Sequence, residues 1–188
     1  DIVFSILVLV LFLWWFIPLM ALIIKLTSKG DVFFMQERSG IKNKSFKVIK
    51  FRSMYINDGA HSVQATRGDH RITPIGKFLR KTNLDEVPQF INVLFGQMSV
   101  IGPRPHMLRH TEKYSKIIDK FMVRHLVKPG ITGWAQVNGY RGETKDVTDM
   151  EGRVLADVWY IENWSFGLDV KIIILTIINM LRGEENAF

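Results

Sequence analysis

The chain opens on an unbroken apolar run. Residues 2–24 read IVFSILVLVLFLWWFIPLMALII, and Ser5 is the one polar side chain among them. As a helix rising 1.5 Å per residue, the run extends roughly 35 Å, enough to cross a hydrocarbon core. A cleaved leader does not fit: no basic segment precedes the run, it is too long, and no small-residue cleavage site follows. Pro18 stands about two-thirds of the way along, where it removes a backbone hydrogen bond and presses on the preceding turn. Two forms are open: a proline-kinked spanning helix, or a helix broken at Pro18 that enters and leaves by one leaflet. On the residues alone, the frequent tolerance of proline in membrane helices favours the kinked span.

Beyond the run the pattern shortens. Residues 32–36 and 46–51 are β-prone stretches separated by Ser39-Gly40 and 42–45, which predicts a hairpin. Thr73-Pro74-Ile75-Gly76 leads into a helix over 77–82, and Asn83-Leu84-Asp85 reads as the start of another. That helix holds Glu86 and Pro88 in its first turn and stops at Gly96. Gly102-Pro103-Arg104-Pro105 is a rigid loop. A helix is predicted over 106–127, with Met107, Tyr114, Ile118, Phe121 and Leu126 on one face and Pro129-Gly130 ending it. Residues 131–142 read as glycine-rich loop, 148–163 as a helix, and 168–181 as a helix apolar nearly all round. The last is short for a span and suits burial or the membrane interface.

Charge changes this picture. The 188 residues carry a net charge of +7, but residues 25–81 hold 13 Lys/Arg against 4 Asp/Glu, so the excess follows the apolar run directly. That is the flank of a membrane segment on its cytoplasmic side, attracted to anionic headgroups, and it suits a phosphate-bearing substrate. Nucleic acid is weakened as a partner by that placement and by the absence of a nucleic-acid motif. With no cysteine, disulfides, thiolate metal sites and a cysteine nucleophile are excluded. One ordinary domain fits the length, and the start on Asp1 without Met suggests a piece of a longer protein.

Asp85-Glu86 is the foremost acidic pair. Neighbours on a helix face different ways, so they cannot flank one bond as a glycosidase pair does. They can share a divalent metal with phosphate oxygens, or one can attack phosphorus. Equally they can be an N-cap and a first-turn acid that stabilise the helix dipole. Arg80 and Lys81 precede the pair, and Arg104 is held between prolines, a setting suited to bidentate phosphate contact or to a plain surface loop. Strand alternation puts Lys50 and Arg52 on one face. The five histidines point to no chemistry: His106 and His110 have i,i+4 spacing but lack the glutamate of a zinc-protease motif.

Five runs in series resemble one family. They are 32–40 (VFFMQERSG), 50–54 (KFRSM), 79–89 (LRKTNLDEVPQ), 98–105 (MSVIGPRP) and 128–137 (KPGITGWAQV). They are similar to the catalytic domain of the bacterial sugar transferases, the monotopic polyprenyl-phosphate phosphoglycosyl transferases, over nearly the whole chain. The stretch 139–144 (GYRGET) and the ending 186–188 look most like the undecaprenyl-phosphate glucose phosphotransferase branch.

The resemblance implies an α+β fold: a re-entrant membrane helix over 1–30, then a mostly helical cytoplasmic catalytic domain over 31–188 with a small β-hairpin and membrane-interface helices. It implies transfer of a sugar-1-phosphate from a UDP-sugar, UDP-glucose first, to undecaprenyl phosphate with release of UMP. That is the first membrane step of exopolysaccharide or capsule synthesis, at the cytoplasmic face of the bacterial inner membrane. UDP-galactose, an N-acetylated UDP-sugar or a non-catalytic scaffold role are the alternatives. In the family pattern Asp85 is the nucleophile that takes the phospho-sugar, and Glu86 binds Mg²⁺. Lys50, Arg80 and Arg104 hold phosphate, while Pro103, Pro105, Arg141 and Asp157 belong to the substrate-site surroundings. Pro18 breaks the membrane helix, although Ile17 stands where the family often has serine. The lipid bilayer is a partner, nucleic acid is not, and a homodimer is the oligomer expected, twofold closure being the commonest symmetry.

Overall fold

The computed structural model describes residues 1–182 except 61, 62, 67, 143 and 145; Glu143 of the 139–144 stretch and the ending at 186–188 lie outside the described residues. Ile2–Thr27 is one continuous helix, long and apolar enough to cross a membrane. It is made of α1 (Ile2–Val8), a π-helical turn (Leu9–Leu13) and α2 (Trp14–Thr27), and Pro18 lies inside α2 with helix on both sides. Leu13, Phe16, Met20 and Ile24, spaced three or four apart, form one buried row that packs with Phe51 and Leu79. Leu7, Val10, Leu11, Trp14 and Leu22 on other faces are exposed.

This helix lies along the rest of the chain and is tied to it at both ends. At its start the Asp1 carboxylate accepts from the Ser99 hydroxyl and the Val100 N–H, each at 3.0 Å, and Phe4 meets Phe90. Past its end, Arg52 donates to the carbonyls of Ser28, at 2.9 Å, and Lys29. Arg52 therefore does not join Lys50 on one face, as alternation predicted, because the strand ends at Phe51 and the free carbonyls of the helix terminus take the guanidinium.

The predicted hairpin is present. β1 (Phe33–Ser39) and β2 (Ser45–Phe51) run antiparallel with Phe33 opposite Phe51 and Ser39 opposite Ser45. α3 (Pro74–Lys81) starts on Thr73, whose hydroxyl accepts from the Gly76 N–H at 2.9 Å. A tight turn (Leu84–Glu86) and α4 (Gln89–Leu94) replace the single helix predicted from Asn83. Asn83 sits in the left-handed region (φ 59°), which turns the chain before any helix forms, and Pro88 then starts α4.

β3 (Ser99–Ile101) pairs in parallel with β4 (Gly130–Thr132). The helix predicted over 106–127 is divided into α5 (Leu108–Tyr114) and a 3₁₀ turn (Phe121–Leu126). Lys120 between them is left-handed (φ 62°), and Tyr114, Ile118 and Phe121 all meet Met150, Val154 and Val158 in one core. Those three are spaced as on one helix face; what the left-handed turn changes is the segment beyond it, where Leu126, predicted on the same face, is exposed. α6 (Trp134–Val137), α7 (Val147–Glu162) and α8 (Phe166–Arg182) complete the mixed helix and sheet fold. In α8 Ile172 is buried while Phe166, Val170, Ile174, Ile177 and Leu181 stay exposed, leaving a broad apolar outer face.

Candidate active site

Asp85 and Glu86 occupy the turn between α3 and α4, and both are more than nine-tenths buried. In so tight a turn successive side chains point about 120° apart. Glu86 points at cations: Lys50 Nζ reaches Oε1 at 2.6 Å, Arg104 Nη2 reaches Oε1 at 2.5 Å, and Arg104 Nη1 reaches Oε2 at 3.0 Å. Burial opposes its charged form, but Arg104 and Lys50, with Arg141 adding to them, hold its carboxyl well below the usual range. Asp85 accepts no hydrogen bond among the described residues. Its carboxyl is pushed up, first by burial and then by the Glu86 charge, against the pull of Lys50, Arg80 and Arg104. Two adjacent carboxylates are thus driven in opposite directions.

Each cation is delivered by a simple local device. Alternation along β2 sends Phe51 to the apolar helix and Lys50 to the acidic turn. Burial lowers the Lys50 ammonium and Glu86 works against that. Arg80, in the last turn of α3, donates Nε to the Ser53 hydroxyl at 2.8 Å, and its charge acts on Asp85. The Arg104 loop is anchored by glycine: a Cβ on Gly102 would stand 2.6 Å from the Lys128 carbonyl oxygen, and one on Gly130 2.1 Å from the Gly102 nitrogen. Gly130 N–H then donates to the Pro103 carbonyl at 3.0 Å, and Pro103 and Pro105 stiffen both sides of Arg104.

Asp157 does not reach the dyad. It pairs with Arg124 at 2.8 Å, and the same Arg124 nitrogen donates at 2.9 Å to the Arg104 carbonyl. Burial raises the Asp157 carboxyl, offset in part by Arg124 and Arg153. Arg141 bonds the Asn83 side chain, which draws residues 139–142 onto the acidic turn. The structure thus brings Lys50, Arg80, Asp85, Glu86, Arg104 and Arg141 together, with Asp157 one layer behind.

Sequence reasoning gave no role to Arg38, His106, Arg124 or Arg153. A signal existed for Arg153, which stands four residues before Asp157 and so shares its helix face. Arg124 and His106 carried none, since their partners come from distant segments. His106 and His110 lie 6.3 Å apart between ring centroids, and no group of three metal-ligating side chains occurs among the described residues.

Residues 1–183 match the family model of the bacterial sugar transferases, so the chain belongs to that family. A Klebsiella pneumoniae protein named UDP-glucose:undecaprenyl-phosphate glucose-1-phosphate transferase is 53% identical over 94% of this chain and 38% of its own length. An Escherichia coli protein of the same name is 54% identical over 84% of this chain and 34% of its length. The chain therefore spans less than two fifths of these two relatives. A Rhizobium leguminosarum exopolysaccharide production protein is 42% identical over 90% of this chain and 88% of its own length.

Proposed function

Starting from membership of the bacterial sugar transferase family, we propose that the chain transfers glucose-1-phosphate from UDP-glucose to undecaprenyl phosphate and releases UMP. The observation that carries this reading is the dyad: a buried carboxylate that accepts no hydrogen bond among the described residues, beside one clamped by Lys50 and Arg104. The names of the Klebsiella and Escherichia relatives support the substrates, and the Rhizobium relative supports a place in exopolysaccharide production.

In this mechanism an Asp85 carboxylate oxygen attacks the sugar-bearing phosphorus of the donor. The bond from that phosphorus to the UMP oxygen breaks, and UMP leaves with the electron pair. A phosphate oxygen of the lipid acceptor then attacks the same phosphorus, and the bond to Asp85 breaks to restore the carboxylate. Two displacements suit substrates that arrive from different phases. A carboxyl whose charged form is poorly solvated by partners is a more reactive nucleophile than one already bound by cations, which favours Asp85 over Glu86 for the attack.

Glu86 is the residue that would hold Mg²⁺. Its oxygen donors suit that ion, and its carboxyl is held in the charged form that a metal ligand needs. When bound, the ion supplies charge neutralisation for the diphosphate. Lys50 and Arg104, which meet at Glu86, are the cations placed to bind phosphate oxygens of the donor, and Arg80, whose charge acts on Asp85, is placed to receive the acceptor phosphate.

The apolar helix serves as an anchor held on one side of the bilayer in this reading. Its attachment at both Asp1 and Arg52 supports this, because a spanning helix would carry Asp1 across the bilayer, away from Ser99; the helix runs on through Pro18, so the break expected there, which a re-entrant path would use, is absent. The basic stretch after the helix supports the cytoplasmic face of the inner membrane, and the exposed apolar side of α8 supports interfacial contact. Purified protein in detergent with Mg²⁺ and undecaprenyl phosphate is expected to release UMP from UDP-glucose faster than from UDP-galactose or N-acetylated donors. Release from none of them would overturn the reading.

A further inference from the structure

Past Glu86, on the side away from the apolar helix, lies a group of cations that the dyad does not use. Phe33, at the start of β1, packs with the helix, whereas Arg38 is five residues along the strand, roughly 17 Å further out. The Ser39 N–H donates to the His106 carbonyl at 3.0 Å, and Arg38 bridges to Met107, so Arg38 and His106 sit on the two sides of one backbone contact. Arg153 comes from α7, one turn before Asp157, with Nη2 on the Gly142 carbonyl at 3.3 Å. Arg38 thus pairs with the segment that follows the Arg104 loop, His106 directly follows Pro105 at its end, and the charges of Arg38 and Arg153 each act against that of Arg104.

Two observations set this group apart. His106 Nε2 and Arg153 Nε are buried without a hydrogen-bond partner, in residues only 5% and 7% exposed. Two of the acids facing the group are held by other cations, Asp157 by Arg124 and Glu86 by Lys50 and Arg104, and Asp149 stands at the exposed start of α7. Burial and the neighbouring arginines push Arg38 and Arg153 down to about 10 and keep His106 well below its ordinary value. Buried like charges with spare donors are costly unless an anion joins them.

We infer that Arg38, His106 and Arg153 form a second phosphate subsite, which holds the nucleoside-side phosphate of the donor and of the departing nucleotide. The inference rests on the reading of the dyad given above. Its chemistry is that of the leaving group. When the bond to the sugar-bearing phosphorus breaks, the nucleoside phosphate changes from an ester held in an anhydride, with one negative charge, to a free monoester with two. Cations placed there favour the transition state over the bound donor. The imidazole of His106 adds a neutral contact without adding repulsion. A polyprenyl phosphate offers the same phosphate chemistry, but it arrives from the helix side, which this subsite faces away from.

The test is calorimetric binding of UMP to the intact chain in detergent, for wild type, Arg38→Met and Arg153→Met, beside steady-state kinetics. Each variant is expected to bind UMP at least tenfold more weakly, to lose kcat on UDP-glucose and to keep its KM for undecaprenyl phosphate. Without nucleotide, the melting temperature of Arg153→Met is expected to hold or rise, since a buried charge is removed; Arg153→Lys, which retains charge, is expected to recover part of the UMP affinity. Unchanged UMP affinity in both variants, in protein that turns over UDP-glucose, overturns the subsite and leaves the proposed reaction standing. A raised KM for undecaprenyl phosphate with unchanged UMP binding overturns it in favour of the acceptor. Loss of UMP affinity in protein that turns over no UDP-sugar supports the subsite while the proposed reaction falls.

Discussion

Asp85 and Glu86 share one turn, yet two sides of the molecule treat them differently. The side built by α3 and the apolar helix places Leu79, Leu84 and Val87 in a hydrophobic cluster and leaves Asp85 without a hydrogen bond. The side built by β2 and the Arg104 loop gives Glu86 three charged contacts of 3.0 Å or less. Identical chemistry under two environments yields a carboxyl that resists ionisation and one that is held ionised. The difference teaches that the roles within the dyad are set by what each residue faces.

The sharpest way to break this comparison is Asp85→Asn. It is expected to lower UMP release by about a thousandfold or more, with unfolding in detergent at pH 7 unchanged or shifted upward, because an unpartnered buried charge is gone. Near-wild-type turnover would end the covalent mechanism. Glu86→Gln strikes the other side. Turnover is expected to fall about a hundredfold and stability by about 2 kcal/mol, since Lys50 and Arg104 lose their counter-charge.

The pH dependences should diverge in the same way. Asp85 is held above its ordinary value of 3.8, so the acid limb of the rate profile lies above that pH. For Glu86 the folded state favours the charged form, and its pairs stabilise the fold above the ordinary value of 4.5. The stability deficit of Glu86→Gln is therefore full at pH 7 and shrinks as acid protonates Glu86 in the wild type. A constant deficit down through the acid range would contradict the clamp.

Asp157→Asn probes the layer behind. Arg124 is left buried without its partner, at a cost of about 3 kcal/mol, and kcat is expected to drop about tenfold as the Arg104 backbone loosens. Chemical denaturation and kinetics on the same preparation separate the two effects. The smallest change is expected from Ser99→Ala, which removes a hydrogen bond to Asp1 worth about 1 kcal/mol. Turnover should stay as it was, and a large loss would show that the start of the helix matters to the site.

Much of the fold was readable because its signals were local. The apolar run, the hairpin, α3, α7 and α8 each follow from a periodicity or a cap within a few residues, such as Thr73 before Pro74. The misses fall where one backbone angle overrides a pattern. Asn83 and Lys120 both adopt left-handed conformations; asparagine tolerates that region readily, whereas nothing in a lysine announces it. They cut two predicted helices into shorter pieces, because one left-handed residue turns the chain out of the helical path.

The site divides along the same line. Composition and order alone determined the apolar anchor, the basic flank, the absence of thiol chemistry and an acidic pair preceded by Arg80 and Lys81, since these are properties of neighbours in the chain. Only the tertiary structure decided that Lys50 and Arg104, 36 and 18 residues away from Glu86, both close on it and leave Asp85 alone. It likewise decided that Arg52 serves the helix end and that Asp157 works through Arg124. The physical reason is that charge and burial act through space over a few ångströms, and distances of that size between remote segments are set by packing.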